Sequence, residues 1–192
     1  MTQLLDLTQA QAGTGQNCDS LNRYLDQLAG EPFAFMRMSY GDELTLHFGD
    51  LRPAKSSKLK GTLYGTYLIG VRASAWVLKP GTKSAIASWP RVTDLSSLGA
   101  VRLGSEQLEA ASLIPEHARI VAALAFADEA DGGFGLSLRF SDGSSFVVLP
   151  DAESAETHGE ELPKIGDWEL LSPGGLLTAG PGLRWKFEPR GH

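Results

Sequence analysis

Cysteine is nearly absent: Cys18 is the single one in 192 residues, so no intramolecular disulfide can form. That excludes the framework of a small secreted scaffold, and a reducing cytoplasm is the expected setting. No apolar run reaches the roughly 18 residues that a membrane-spanning helix needs. Residues 1–16 hold no Lys or Arg and no continuous apolar stretch, so they are not read as a secretory signal. Positive charge is in deficit, with 17 Lys and Arg against 23 Asp and Glu and a net charge of −6. Binding to nucleic acid depends on neutralising phosphates with cations, so nucleic acid is not an expected partner. Also missing are a glycine-rich dinucleotide turn, a phosphate loop ending in Gly-Lys-Ser/Thr and a Gly-x-Ser-x-Gly elbow.

What the sequence does hold is period-two hydrophobicity. Residues 1–16 are read as a loosely ordered N-terminal arm, in which Gly13-Thr14-Gly15 is a flexible fragment, and residues 17–192 as a single globular domain. The clearest helix carries Leu21, Tyr24, Leu25 and Leu28 on one apolar stripe. Asp19 or Ser20 caps it, and Gly30 followed by Pro32 stops it. The period then changes. Residues 33–40 and the alternating Leu44, Leu46 and Phe48 form a hairpin about Gly41-Asp42. Residues 52–60 read as a basic, solvated loop with Arg52, Lys55, Lys58 and Lys60. Residues 61–78 form one long bent strand or two short ones, with Gly65 and Gly70 marking bulges or close backbone approaches.

Residues 82–118 give little pattern beyond a short helix at 105–112. A second hairpin follows, in which Phe134, Leu136, Leu138 and Phe140 lead through Ser141-Asp142-Gly143-Ser144 into Phe146. Residues 151–164, with Asp151, Glu153, Glu156, Glu160 and Glu161, read as an exposed, mobile loop. Short strands at 167–171, 176–179 and 183–187 close the chain. Leu44-Thr45-Leu46-His47-Phe48 echoes Leu136-Ser137-Leu138-Arg139-Phe140. Amphipathic strands ending in turns look alike, and that explanation is preferred over duplication.

Chemistry-bearing residues are few. His47, His117, His158 and His192 are scattered, so no metal site and no cofactor are expected. Cys18 sits at a helix start, where the dipole favours a thiolate, but a small apolar packing role is preferred. The candidates for a binding site are Glu43, His47, Arg139 and Trp89. Glu43 and His47 share one face of their strand, roughly 13 Å apart, and Arg139 occupies the matching face of the other hairpin. Together they would form a base and an anion holder, but an ordinary solvated face is the expected outcome, with His47 and Arg139 exposed. Trp89, in Ser88-Trp89-Pro90-Arg91, lines a pocket or interface or joins the core. Trp76, Trp168 and Trp185 are read as core.

Leu44-Thr45-Leu46-His47-Phe48-Gly49, the segment from Gly65 and Tyr67 to Trp76, Phe140-Ser141-Asp142-Gly143 and Asp167-Trp168-Glu169-Leu170-Leu171-Ser172-Pro173 resemble a family of small uncharacterised bacterial proteins. That pattern has a Trp-Arg pair and a late Trp-x-Leu; here Val77 follows Trp76. The resemblance implies a bacterial cytoplasmic protein and carries no catalytic residue.

The expected fold is α+β, mainly antiparallel β, with one or two packed sheets and an N-terminal helix. The expected function is non-enzymatic binding or accessory action on a protein partner, with no nucleic acid and no membrane partner. The alternative is a small-molecule binder or enzyme with a polar site between sheet faces.

Overall fold

The computed structural model describes residues 11–14, 17–38, 44–54, 61–71, 74–79, 81, 85–87, 100–102, 114–115, 117–128, 132–150, 167–180 and 182–190. The expected helix at 105–112 and acidic loop at 151–164 lie outside them, as do Glu43 and Trp89. In chain order the elements are β1 (Gln11–Thr14), α1 (Asp19–Leu25) with a 3-10 turn (Asp26–Leu28), β2 (Phe33–Met38), β3 (Leu44–Phe48), β4 (Arg52–Pro53) and β5 (Leu63–Tyr64). They continue with β6 (Tyr67–Val71), β7 (Trp76–Lys79), β8 (Ala85–Ala87), β9 (Ala100–Arg102), β10 (Ile120–Asp128), β11 (Gly133–Phe140), β12 (Ser145–Val148), β13 (Trp168–Leu171), β14 (Gly175–Gly180) and β15 (Arg184–Pro189). The protein is α+β and mainly antiparallel, as the alternation predicts. A seven-stranded sheet runs β1-β15-β14-β13-β6-β3-β2, a six-stranded sheet runs β10-β11-β12-β7-β8-β9, and β4 pairs with β5 in a separate ribbon.

The two sheets are built by exchange. In the first half, β2, β3 and β6 make an antiparallel meander in the seven-stranded sheet. The chain then crosses, and β7 pairs with β12 in the other sheet. In the second half, β10, β11 and β12 make the same meander in the six-stranded sheet, and β13 crosses back to pair with β6. The register repeats residue for residue: Leu44 faces Val71 as Leu136 faces Val148, and Trp168 faces Val71 as Trp76 faces Val148. Both meanders shift register just after they begin, between Phe33 and Phe35 and between Ile120 and Ala122. The Leu-x-Leu-x-Phe echo therefore falls at equivalent positions of two similar meanders, a structural repeat. The span 61–78 is also corrected, to three short strands, because the crossover to the second sheet breaks it before Trp76.

The halves meet at an isolated antiparallel bridge between Pro32 and Arg119, which are equivalent positions. The hydrogen bonds around it come in matched pairs. The Phe33 N–H donates to Ala118 O (2.8 Å) as Ile120 N–H donates to Glu31 O (3.1 Å). Likewise Gly49 N–H donates to Pro32 O and Ser141 N–H to Arg119 O, each at 2.8 Å. An antiparallel bridge between equivalent residues has a local two-fold by its own geometry, so an approximate two-fold relates the halves here. Gly30 and His117, again equivalent, both take positive φ (81° and 70°). Glycine accepts this freely, whereas a histidine there costs about 1 kcal/mol, held in place by the junction's hydrogen bonds.

The core lies between the sheets. Leu44, Leu46, Phe48, Leu136, Leu138 and Phe140 are all buried within one cluster, as the register predicts. Phe33, Phe48 and Phe140 pack ring to ring at 6.0–6.3 Å beside the junction. Trp76 and Trp168 are buried and Trp185 nearly so, all as expected. Ser74 Oγ donates to Asp167 Oδ1 at 3.2 Å, tying together the entries to β7 and β13.

Leu21, Tyr24, Leu25 and Leu28 bury one face of the helix. Tyr24 stacks on Phe187 of β15 (4.6 Å), and Asn22 Oδ1 accepts the Ala125 N–H of edge strand β10 (2.7 Å). The helix therefore covers both an end of the core and a sheet edge that would otherwise pair with another chain. Its start differs from expectation: Cys18 is the N-cap, with no side-chain cap bond, and Asn17 Oδ1 accepts the Asp19 N–H instead (2.8 Å). Its end also comes earlier than expected: the α-helix stops at Leu25 with Asp26 as C-cap, and the 3-10 turn that follows is closed by the extended Ala29, just before Gly30 and Pro32. Within the span read as a loose arm, Gln11–Thr14 is paired with β15, and Gly13 lies against the Trp185 ring. Residues 52–60 were expected to be loop throughout, but Arg52–Pro53 is strand β4, paired with Leu63–Tyr64.

Candidate functional site

Strand alternation puts Thr45 and His47 on the face of β3 opposite Leu44, Leu46 and Phe48. This face was expected to be solvated, and at His47 that expectation is wrong: the side chain is 1% exposed. Two neighbours cover it. Phe35 of β2 stacks on the imidazole at 4.1 Å, and Tyr64 of β5 lies at 5.6 Å. The ribbon reaches this position because Gly65 passes directly over β3; a Cβ there would sit 2.5 Å from Phe48 O. Of the two readings of Gly65, a bulge or a close backbone approach, the second fits: a Cβ there would meet the Phe48 backbone.

The hydrogen bonds close on themselves. The Gly65 N–H donates to His47 Nδ1 at 3.2 Å, so Nδ1 carries a lone pair and Nε2 carries the proton. Nε2 then donates to Thr45 Oγ1 (3.3 Å), whose hydroxyl donates to Arg37 O (3.3 Å). Every polar atom of this neutral imidazole has a partner. Burial, assisted by the Arg37 charge, lowers its pKa from 6.5 to about 4. The Arg37 guanidinium lies 5.4 Å from the centre of the Phe35 ring, on the flank of the cluster. Chemically, the arrangement holds a neutral histidine in one tautomer. Its one basic nitrogen is occupied by a backbone donor, so proton abstraction would require breaking that bond.

Arg139 stands at the position equivalent to His47, on the outer face of β11, and is exposed as expected. It faces Ala122 and Ser145 across its neighbouring strands. Since β3 and β11 turn their Leu and Phe residues into one shared core, His47 and Arg139 point away from it in different sheets. They do not meet. Cys18 is half-buried, and burial and the neighbouring Asp19 push its thiol pKa up, opposing the thiolate that a helix start would favour. Among the described residues no three His, Cys, Asp or Glu group to hold a metal ion. None of the described helices is long and apolar enough to cross a membrane.

Beside the cluster, the ribbon shows a second character. Tyr64 faces inward on His47, whereas Leu63 is 43% and Leu51 45% exposed, with Arg52 and Pro53 exposed between them. Sequence reasoning missed these leucines; their signal was two apolar residues flanking a basic stretch. No family model, curated protein or solved structure matches the chain.

Proposed function

We propose that this chain is a binding or accessory protein that acts through contact with a protein partner in the cytoplasm and not by catalysis. The observation that carries this reading is the closed state of the His47 cluster. The one histidine that sequence placed in a candidate site uses both ring nitrogens to hold the ribbon and β2 onto β3. Its partner Arg139 belongs to another face. What the described part of the same region offers to solvent includes the half-exposed Leu51 and Leu63, apolar surface suited to protein contact.

The test is purification of the tagged full chain from its native cell, followed by native mass spectrometry. A defined complex with another protein at fixed stoichiometry is the expected result. A chain that stays alone, yet gains several degrees in Tm with a metabolite and loses that gain in His47→Gln, would replace this reading with the small-molecule alternative.

A further inference from the structure

We infer that the outer face of the six-stranded sheet is a docking surface for an amphipathic helix with an acidic flank, presented by a partner protein; the inference rests on the binding reading above. The repeat shows what sets this face apart. In the seven-stranded sheet one outer row, in register across four strands, is Arg37, Thr45, Gly70 and Glu169. The equivalent row of the six-stranded sheet is Leu124, Ser137, Val147 and Val77. An antiparallel sheet with one face on the core normally turns polar residues to water on the other. The first row keeps to that rule with two charges, whereas the second is apolar at every position but Ser137.

The apolar surface is open at its β10 end. Leu124 is 50% exposed, and Val121, at the register shift of the same strand, is 58% exposed. Phe126 extends it, since its ring lies on Gly135 in the place that a side chain there would take. The β11–β12 connection is the four-residue turn 141–144, too short to cover this face. The equivalent connection, residues 49–66, carries the ribbon that covers His47. A single exposed leucine needs no explanation, but an apolar row on an outer face does.

Charge selects the occupant. Two residues along the strands, the next row is Ala122, Arg139, Ser145 and Lys79, with both cations exposed. They stand two strands apart, roughly 10 Å at the usual spacing. Among the described outer positions of these four strands the single acid is Asp128, roughly 20 Å along β10 from Ala122. On a chain of net charge −6 this is a local reversal of sign, and its complement is an acidic flank. A second copy packed here by a two-fold contact would bring its own Arg139 and Lys79 to the interface, so like charges oppose self-association. The overall negative charge also repels anionic lipid and nucleic acid. A helix satisfies both rows: its apolar stripe covers the first, as helices cover sheets, and Glu or Asp at the stripe's edge reaches the second. On the ribbon, by contrast, the exposed leucines have Arg52 set against Asp50, and no sign is selected.

The experiment measures fluorescence anisotropy of two labelled peptides against the full chain. One has Leu at the spacing of a helical stripe with Glu beside it, and the other has the same residues scrambled. Binding to vesicles containing phosphatidylserine is measured alongside. The patterned peptide should bind about tenfold more tightly than the scrambled one and weaken as salt rises. Leu124→Ser and Arg139→Glu, both at exposed positions, should each weaken it about tenfold. Arg190→Glu makes the same charge change at an exposed site just past β15 and should leave binding within about twofold. Equal weakening by Arg190→Glu and Arg139→Glu would overturn the surface. Vesicle binding tighter than peptide binding, and lost in Arg139→Glu, would overturn the protein partner. Failure of the patterned peptide to bind at millimolar concentration would overturn the inference. So would a native complex that persists in the Leu124→Ser, Arg139→Glu double variant, and that result would leave the binding reading intact; the reading itself fails if the unaltered chain forms no complex.

Discussion

Laid over one another by their pairing register, the two halves of the chain agree inside and differ outside. Leu44, Leu46 and Phe48 match Leu136, Leu138 and Phe140 type for type, and Trp76-x-Leu78 matches Trp168-x-Leu170. On the outer faces Thr45 and His47 stand where Ser137 and Arg139 stand; His47 lies under the ribbon, whereas Arg139 is exposed. Close packing leaves inner positions little choice of volume, whereas a face turned to water can diverge at almost no cost. The difference locates what is particular to this protein: one connection lengthened, and one outer position changed to anchor it.

The largest effects should fall where the halves agree. Trp76→Ala and Trp168→Ala remove equivalent fully buried rings, and each should cost about 3–5 kcal/mol in urea unfolding. Trp168 also donates Nε1–H to Phe134 O at 2.9 Å, a bond worth about 1 kcal/mol of its cost. A cost below about 1 kcal/mol for either would break the equivalence of the exchanged strands.

Equivalent outer positions should respond unequally. His47→Ala strips a partner from the Gly65 N–H and Thr45 and leaves a void beneath Phe35, an expected loss of about 2–3 kcal/mol. Arg139→Ala, at an exposed site, should stay within about 0.5 kcal/mol. Equal losses at the two positions would contradict the account of the ribbon as an anchored addition.

The ribbon can also be displaced from within. Gly65→Ala would drive a methyl group against the Phe48 backbone, which cannot retreat without disturbing β3. We expect about 1–3 kcal/mol of destabilisation. Hydrogen exchange should show earlier opening of β4–β5 and no change in β11–β12. An unchanged ribbon with a loosened second hairpin would be the contrary result.

Much of this was legible along the chain. Period-two runs with Gly-Asp and Asp-Gly turns gave both hairpins and their inner faces, because alternation is local and the register is pinned by a buried side. The exchange between sheets was not, since Trp76 meets Val148 and Trp168 meets Val71 across long stretches of chain. The repeated Trp-x-Leu, each time following a strand that ends in Val, was the signal available for it. Alternation also says which side His47 takes but not what covers that side. The cover is Phe35 with Tyr64 and Gly65, and what brings Tyr64 there is its pairing with Arg52, at the start of a stretch whose strand content was hidden by its polar, basic composition. Among the proposed site residues, then, sequence gave the face of His47 and Arg139 correctly, while the burial of one and the separation of both are products of tertiary packing.

The pH response follows from the buried histidine. Its folded pKa lies below its unfolded value, so stability is full above pH 6.5 and declines as pH falls towards 4, where the folded protein also takes up the proton. The total loss from this group is about 3 kcal/mol at most. His47→Gln should remove that part of the acid sensitivity, leaving the part due to carboxylates.

The most direct test of the central claim, that His47 is a closed anchor for the ribbon and not a working base, is nitrogen-15 NMR of its imidazole from pH 8 down to pH 3.5. The account predicts a neutral ring protonated at Nε2, with Nδ1 shifted by the Gly65 bond, titrating near pH 4. A ring that titrates near 6.5, or carries its proton on Nδ1, would contradict it.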